Sequence, residues 1–110
     1  MQQTQTLTRP APAIAGEIVR FRLSGDLPPY AIVENLNATA SASIRWQQSS
    51  SGSDGSFTDI VDTHATIGPK SSNGQSIVAS QPYIRLFGSG NVDLLITLVR
   101  QFNGDVSDLN

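Results

Sequence analysis

Two alternating segments joined by a loop rich in Ser, Gly and Asp constrain the fold of this sequence most. Apolar residues recur at every second position of residues 39–48, namely Ala40, Ala42, Ile44 and Trp46. Residues 57–62 alternate again after the loop at residues 49–56, with Phe57 and Val61 on one predicted face. A period of two residues is typical of a strand with one buried face. A polar loop between two such strands indicates an antiparallel hairpin.

The same pattern continues along the chain. Val19, Phe21 and Leu23 lie on one side of a predicted strand, and residues 92–99 are apolar at most positions of both faces, which predicts a central strand. Turns rich in Gly, Pro and Ser separate these segments at intervals of about ten residues. We therefore predict an all-β fold, a single antiparallel β-sandwich or jelly roll of about seven to eight strands.

The chain of 110 residues has room for one such domain. Residues 5–9 could form a short strand, but Pro10 and Pro12 follow at once and favour an extended, polyproline-like arm. We predict an extended N-terminal arm at residues 1–15, a β-sandwich domain at residues 16–102 and a C-terminal tail at residues 103–110.

Composition argues against several classes of partner. The formal net charge of −2 makes nucleic acid an unexpected partner, because affinity for phosphates grows with the number of cations that neutralise them. No apolar run approaches the length that spans a bilayer, so no membrane partner is expected. Residues 1–6 lack the basic and apolar regions of a secretory signal, so we expect any extracellular location to depend on another route, such as cell lysis or virion assembly.

Catalytic and metal-binding signals are weak. Cysteine is absent, and His64 is a lone histidine that would need companions to bind a metal or a nucleophile to act as a base. Asp54, Asp59 and Asp62 lie near one another in sequence but do not match the spacing of a calcium loop. Most other carboxylates fall at turns or strand ends. We therefore predict no catalytic residue, no cofactor and no metal, and a protein that is not an enzyme.

The aromatic residues allow two interpretations. Exposed rings on a sheet face would form a platform for sugars, whereas rings that share a face with apolar neighbours belong to the core. Trp46 follows Ile44 on the apolar face of its strand, so we interpret it as the core anchor between the sheets.

The N-terminal segment is the candidate interface. Its apolar and extended residues suit an arm that lies along a neighbouring subunit or adds a strand to a sheet edge, although flexible termini are common in any domain. The predicted contact residues are Leu7, Arg9, Pro10, Pro12 and Ile14.

The hairpin also resembles those of β-sandwich modules in phage and bacterial surface proteins. The resemblance rests on Ile44-Arg45-Trp46-Gln47-Gln48-Ser49 with Asp54-Gly55-Ser56-Phe57-Thr58-Asp59-Ile60, and on Tyr83-Ile84-Arg85-Leu86 followed by Gly88-Ser89-Gly90. With the small size and the N-terminal arm, the whole resembles a small tailed-phage virion protein, most closely a capsid decoration (cement) protein. These motifs are structural and cover roughly residues 43–100.

That resemblance implies a non-enzymatic protein that binds the outer capsid surface in many copies and stabilises the shell. Its implied partners are the major capsid protein or another virion protein, and further copies of itself in a dimer or trimer. Its implied location is the virion, assembled in the host cytoplasm. The alternative is a glycan-binding or adhesion module of a phage tail or cell-surface assembly.

Overall fold

The computed structural model of the protein describes residues 2–23 and 26–102. These residues form nine strands, which are β1 (Gln2–Ala11), β2 (Gly16–Arg22), β3 (Asp26–Asn35), β4 (Ala42–Ser49), β5 (Thr58–Asp59), β6 (Ala65–Ile67), β7 (Ser72–Ser76), β8 (Tyr83–Ser89) and β9 (Val92–Phe102). A single 3₁₀ turn at Asp54–Ser56 precedes β5. Within the described ranges no helix has the length and apolar character needed to cross a membrane.

The strands form two antiparallel sheets. The four-stranded sheet has the order β1-β9-β3-β7, and the five-stranded sheet has the order β2-β8-β4-β5, with β6 also paired to β4. The predicted all-β sandwich is confirmed. The described residues contain more strands than the seven or eight predicted, because the short strands β5 and β6 pair with different parts of β4.

The core lies between the two sheets. β9 contributes Leu94, Ile96 and Leu98, each 0% exposed, and pairs with β1 on one side and β3 on the other, as predicted for a central strand. β4 contributes Ile44 and Trp46 from the opposite sheet. Alternation along each strand sends these side chains inward, so the inner faces of the two sheets make one apolar layer.

The N-terminal segment is extended, but it belongs to the sandwich. Gln2–Ala11 pairs antiparallel with β9 along its whole length, from Gln2 opposite Gln101 to Ala11 opposite Val92. This differs from the expected arm outside the β-sandwich domain. Pro10 is compatible with the strand because β1 lies at the edge of its sheet, where a missing backbone N–H need not interrupt a ladder. The predicted tail at residues 103–110 lies outside the described residues.

Two local registers differ from the sequence pattern. A bulge between Glu17 and Val19 turns Ile18 into the core, whereas Val19 is only partly buried. A bulge changes which residues face inward, because two residues on one strand oppose one on the other. After the hairpin loop, Ile60 is buried at 5% exposure and Val61 is 81% exposed, so of the two alternating sets in this segment the one with Ile60 faces the core.

Candidate interaction surfaces

The predicted interface residues do not share one surface. Leu7 is partly buried and packs against the core, while Arg9 is exposed and donates from its Nη1 to the Thr8 carbonyl at 2.9 Å. Pro10 is exposed within β1. The Pro12 carbonyl accepts hydrogen bonds from the backbone N–H groups of Gly90 and Asn91, so this residue is tied to its own domain. Ile14, 86% exposed, is the most accessible apolar residue of the segment.

The strand β1 itself offers a surface that the sequence did not reveal. Gln5 and Leu7 lie opposite the buried residues Leu98 and Ile96, so they share the inner face of the sheet. Thr4, Thr6 and Thr8 occupy the alternate positions and therefore lie on the outer face. Since β1 ends its sheet and, among the residues that the structure describes, pairs with β9 alone, one side of its backbone is open to another strand.

The open edge of β1 lacks the features that usually protect edges. Natural edge strands are shielded by Lys residues, prolines, bulges or short length. The part from Gln2 to Thr8 has no charged residue and no proline, and its register with β9 is continuous. Arg9 and Pro10 mark the point where this unprotected stretch ends. The strand can thus accept a further strand over about seven residues.

The other edges are shorter or interrupted. β7, at the opposite end of the same sheet, has five residues. In the other sheet, β2 has a bulge after Glu17 and carries Arg20 and Arg22, while β5 has two residues and β6 three. β1 is consequently the described edge best suited to adding a strand.

A second surface covers the outer face of the five-stranded sheet, and we call it the arginine–aromatic layer. Its members are Arg20, Arg22, Arg45, Arg85, Phe57, Tyr83 and Phe87. The Arg85 guanidinium lies 4.2 Å from the centre of the Phe57 ring, and that of Arg45 lies 4.9 Å from the centre of Phe87. A cation at this distance over a ring is attracted by its negative face.

Carboxylates neutralise part of this layer. Glu17 accepts from Arg20 at 2.7 Å and lies 3.4 Å from the Arg85 Nη1, and Asp59 lies 3.2 Å from the Arg45 Nε. The side-chain hydrogen bonds of Arg20 with Glu17 and then Asp54 raise the pKa of its guanidinium above the ordinary value. Because guanidinium groups cover the rings of this face, it offers little free ring surface on which a sugar could stack.

The Ser-rich loop is held by its own polar groups. The Ser49 Oγ accepts from the backbone N–H groups of Ser51 and Gly52, at 3.2 and 2.9 Å. Arg20 reaches across from β2 to the Gly52 carbonyl and to Asp54. Among the described residues, no group of three or more His, Asp or Glu side chains is placed to hold a metal ion. Asp54, the carboxylate of this loop, forms an ion pair with Arg20.

His64 lies at the rim of a small cavity. Its Nε2 is 3.3 Å from the Arg45 Nη1, and the cavity of about 60 Å³ is also lined by Ser43, Phe87 and Ser89. Pockets for small organic ligands are several times larger, at about 300 to 1,000 Å³. The volume fits only a few solvent molecules or an ion.

Trp46 lies where the sequence predicted. The side chain is 0% exposed, and its ring centre is 6.3 Å from that of Phe21 on β2. Its backbone N–H donates to the Thr63 Oγ1 at 3.0 Å, and the same hydroxyl donates to the Ile60 carbonyl at 2.8 Å. Trp46 thus joins β4, β2 and the segment after β5, and it has no part in either surface.

Comparisons with known proteins identify the fold. No protein-family model matches the sequence, and no curated protein matches it either. One similar solved structure, "Bacillus endospore appendages form a novel family of disulfide-linked pili", has a TM-score of 0.60 and 13% identity, with coverage of 94% of this chain and 88% of that one. Another, "Crystal structure of PirA", has a TM-score of 0.54 and 11% identity, with coverage of 89% and 93%. At such identities the likeness concerns the fold alone.

Proposed function

We propose that this protein is a non-enzymatic structural subunit of a multi-copy assembly, specifically a decoration protein on the outer surface of a phage capsid. The observation that carries the proposal is the open edge of β1, which is uncharged and unbroken from Gln2 to Thr8. Such an edge favours contact with another strand through backbone hydrogen bonds. In this role the protein stabilises the shell through many weak contacts that act together.

The arrangement of polar groups supports a structural role over catalysis. Among the described residues, Glu17, Asp54 and Asp59 each lie beside an arginine, and His64 faces Arg45. A general acid or base needs a pKa near the working pH and a place for a substrate. None of these three carboxylates lines the cavity of about 60 Å³ beside His64, and that cavity is too small for an organic substrate.

The likeness to an appendage subunit also supports assembly, because that fold is one that a polymer-forming protein uses. The pili of that Bacillus appendage family are disulfide-linked. The 110 residues here include no cysteine, so no disulfide can link copies through this stretch. Strand pairing and side-chain contacts can join copies without one.

Co-sedimentation with capsid shells that lack the protein tests this function. We expect the purified chain to sediment with the shells in many copies and to raise the temperature at which the shells break open. A matched sample in which Thr4, Thr6 and Thr8 are each changed to Lys is expected to bind in fewer copies, because charge on an edge strand opposes strand addition. The control variant carries Lys at Ser72 and Ser76, on the outer edge strand β7.

Two results would contradict the proposal. The chain could fail to sediment with any shell while being retained on a glycan array, which would favour the glycan-binding or adhesion module. Equal shell binding by the β1 and β7 variants would instead show that the β1 edge has no part in the assembly. Near-ultraviolet circular dichroism spectra that match the unchanged chain would show that neither variant loses shell binding by unfolding.

A further inference from the structure

We infer that the strand occupying the β1 edge is β1 of a second copy of this chain, paired antiparallel about a twofold axis at Thr6. This inference rests on the proposed function, because it identifies the partner of the same β1 edge from which that function is argued. The two four-stranded sheets then become one continuous sheet of eight strands, with the order β7-β3-β9-β1 and the same order reversed in the second copy.

Symmetry fixes which residues can meet. An antiparallel pair of identical strands is related by a twofold axis perpendicular to the sheet, so the outer faces of both copies lie on the same side. Directly opposed residues share a face, and Thr4, Thr6 and Thr8 are the outer residues of this stretch. Threonines of one copy therefore lie opposite outer-face residues of the other.

The sequence of β1 selects the position of the axis. The three threonines are symmetric about Thr6, so an axis there places Thr6 opposite Thr6 and Thr4 opposite Thr8. Pairs of threonine directly opposite each other on antiparallel strands stabilise the pairing of those strands. On the inner face, the same axis places Gln5 opposite Leu7 and Gln3 opposite Arg9. Every outer-face position from 4 to 8 is then matched.

Charge and backbone chemistry agree with this register. Pro10 has no N–H to donate, so the ladder is expected to end at Arg9. Arg9 is the one charged residue in Gln2–Ala11, and with the axis at Thr6 the two copies of Arg9 are offset by six residues. At the rise of a strand this is about 20 Å, beyond the screening length at physiological salt. Like-charge repulsion therefore does not oppose the pairing.

A second copy suits this edge better than an unrelated chain of opposite charge. An edge that selects a charged partner carries complementary charges, whereas Gln2–Thr8 carries none. What it offers is a pattern of threonine and glutamine that is complementary to itself. Leu7, only partly buried within one copy, lies beside the new strand and gains cover from it.

Cysteine cross-linking tests the register directly, because the chain contains no cysteine of its own. We expect Thr6→Cys to form a covalent dimer under mild oxidation, since directly opposed Cβ atoms lie close to the span of a disulfide. Thr4→Cys and Thr8→Cys are each expected to cross-link poorly alone and efficiently when mixed. Ser76→Cys on β7 is the control and is expected to remain monomeric on a denaturing gel.

Charge exchange tests the pairing without a covalent bond. Sedimentation velocity should detect a dimer of the unchanged chain. Changing Thr4, Thr6 and Thr8 together to Lys, or together to Glu, should weaken the affinity between the two copies at least about tenfold, because like charges are destabilising when directly opposed. An equal mixture of the Lys and Glu variants should restore the dimer at low salt. The Ser72→Lys and Ser76→Lys variant should dimerise like the unchanged chain.

The outcomes separate this inference from the proposed function. A chain that stays monomeric at every concentration but still coats capsid shells would overturn the pairing and leave the decoration role intact. A chain that dimerises with the predicted cross-links but does not bind the shells would overturn the decoration role and leave the pairing intact. Efficient cross-linking of Ser76→Cys would show that copies meet at another surface. A dimer whose affinity does not change in the Lys and Glu variants of β1 would show the same.

Discussion

Trp46 is the largest of the fully buried side chains and links three parts of the fold. We expect Trp46→Ala to lower the free energy of unfolding by about 3 to 5 kcal/mol, as large-to-small changes do in a packed core. Trp46→Phe should cost clearly less, because it keeps a ring against Phe21 and removes an indole N–H that has no partner among the described residues. Urea denaturation followed by far-ultraviolet circular dichroism measures both changes.

A loss of equal size in the two variants would mean that ring packing at this position contributes little. Val61→Ala is the surface control, because that side chain is 81% exposed and such changes usually stay within about 0.5 kcal/mol.

The sequence pattern located Trp46 correctly but did not define the buried face of the segment that contains Val61. Trp46 lies in an eight-residue strand whose alternation is unbroken, so its face follows from its neighbours. Val61 follows a two-residue strand, after which the Ile60 N–H donates to the Trp46 carbonyl and Ile60 turns inward. A pattern so short carries too little periodicity to define the buried face.

Among the strands and loops, the arginine–aromatic layer contains both a mostly buried arginine and a solvent-exposed ion pair. We expect Arg85→Ala to lower the free energy of unfolding by about 1 to 2 kcal/mol, because this side chain is 12% exposed, lies over Phe57 and donates to the Gln47 Oε1 at 2.7 Å. Asp54→Ala should change it by less than about 0.5 kcal/mol, since its ion pair with Arg20 is exposed to solvent.

Thermal melts at low and high salt compare these two variants. High salt should leave the effect of Arg85→Ala largely intact, because ring packing is not screened. An effect of Asp54→Ala as large as that of Arg85→Ala would instead show that the charges, and not the packing, hold the loop against the sheet.

The N-terminal strand is expected to contribute to stability as well as to assembly. Deleting residues 1–11 removes ten cross-strand pairs with β9 and leaves Leu94, Ile96 and Leu98 at a sheet edge. At a few tenths of a kcal/mol for each pair, we expect a loss of about 2 to 5 kcal/mol in the free energy of unfolding. Chemical denaturation measures it, with Ile14→Ser as an exposed control from the same region.

Unchanged stability after the deletion would mean that β1 pairs with β9 without stabilising the sandwich.

This strand was the main feature that the sequence did not predict. Pro10 and Pro12 favoured an extended arm on local grounds, whereas the partner of Gln2 is Gln101, at the far end of the chain. The prediction of an extended conformation was correct. Whether an extended segment is an arm or a strand depends on its pairing with a distant segment of the chain.

At the scale of the whole molecule, pairing of the first strand with the last brings the two ends of the sandwich together. Gln2 lies directly opposite Gln101, which places their Cα atoms about 5 Å apart. We expect a circular permutant that joins residue 2 to residue 102 through a short Gly/Ser turn, with new ends between Ser80 and Gln81, to fold to the same structure. Both residues at the new ends are exposed.

Near-ultraviolet circular dichroism and Trp46 fluorescence test the permutant. The spectra should match those of the parent chain, and refolding should be faster, because the pairing of β1 with β9 becomes a local hairpin. A permutant that fails to fold with these ends, but folds with new ends in the Ser-rich loop at residues 49–56, would locate an essential contact at Ser80.

Local alternation was enough to predict a β-sandwich and the burial of Trp46, because a period of two residues can be recognised within one strand. The edge position of Gln2–Ala11 and the layer that four arginines share with three rings became visible only in the folded chain. Both depend on strands distant in sequence becoming neighbours, which follows from burial of apolar faces and completion of backbone hydrogen bonds across the whole sheet.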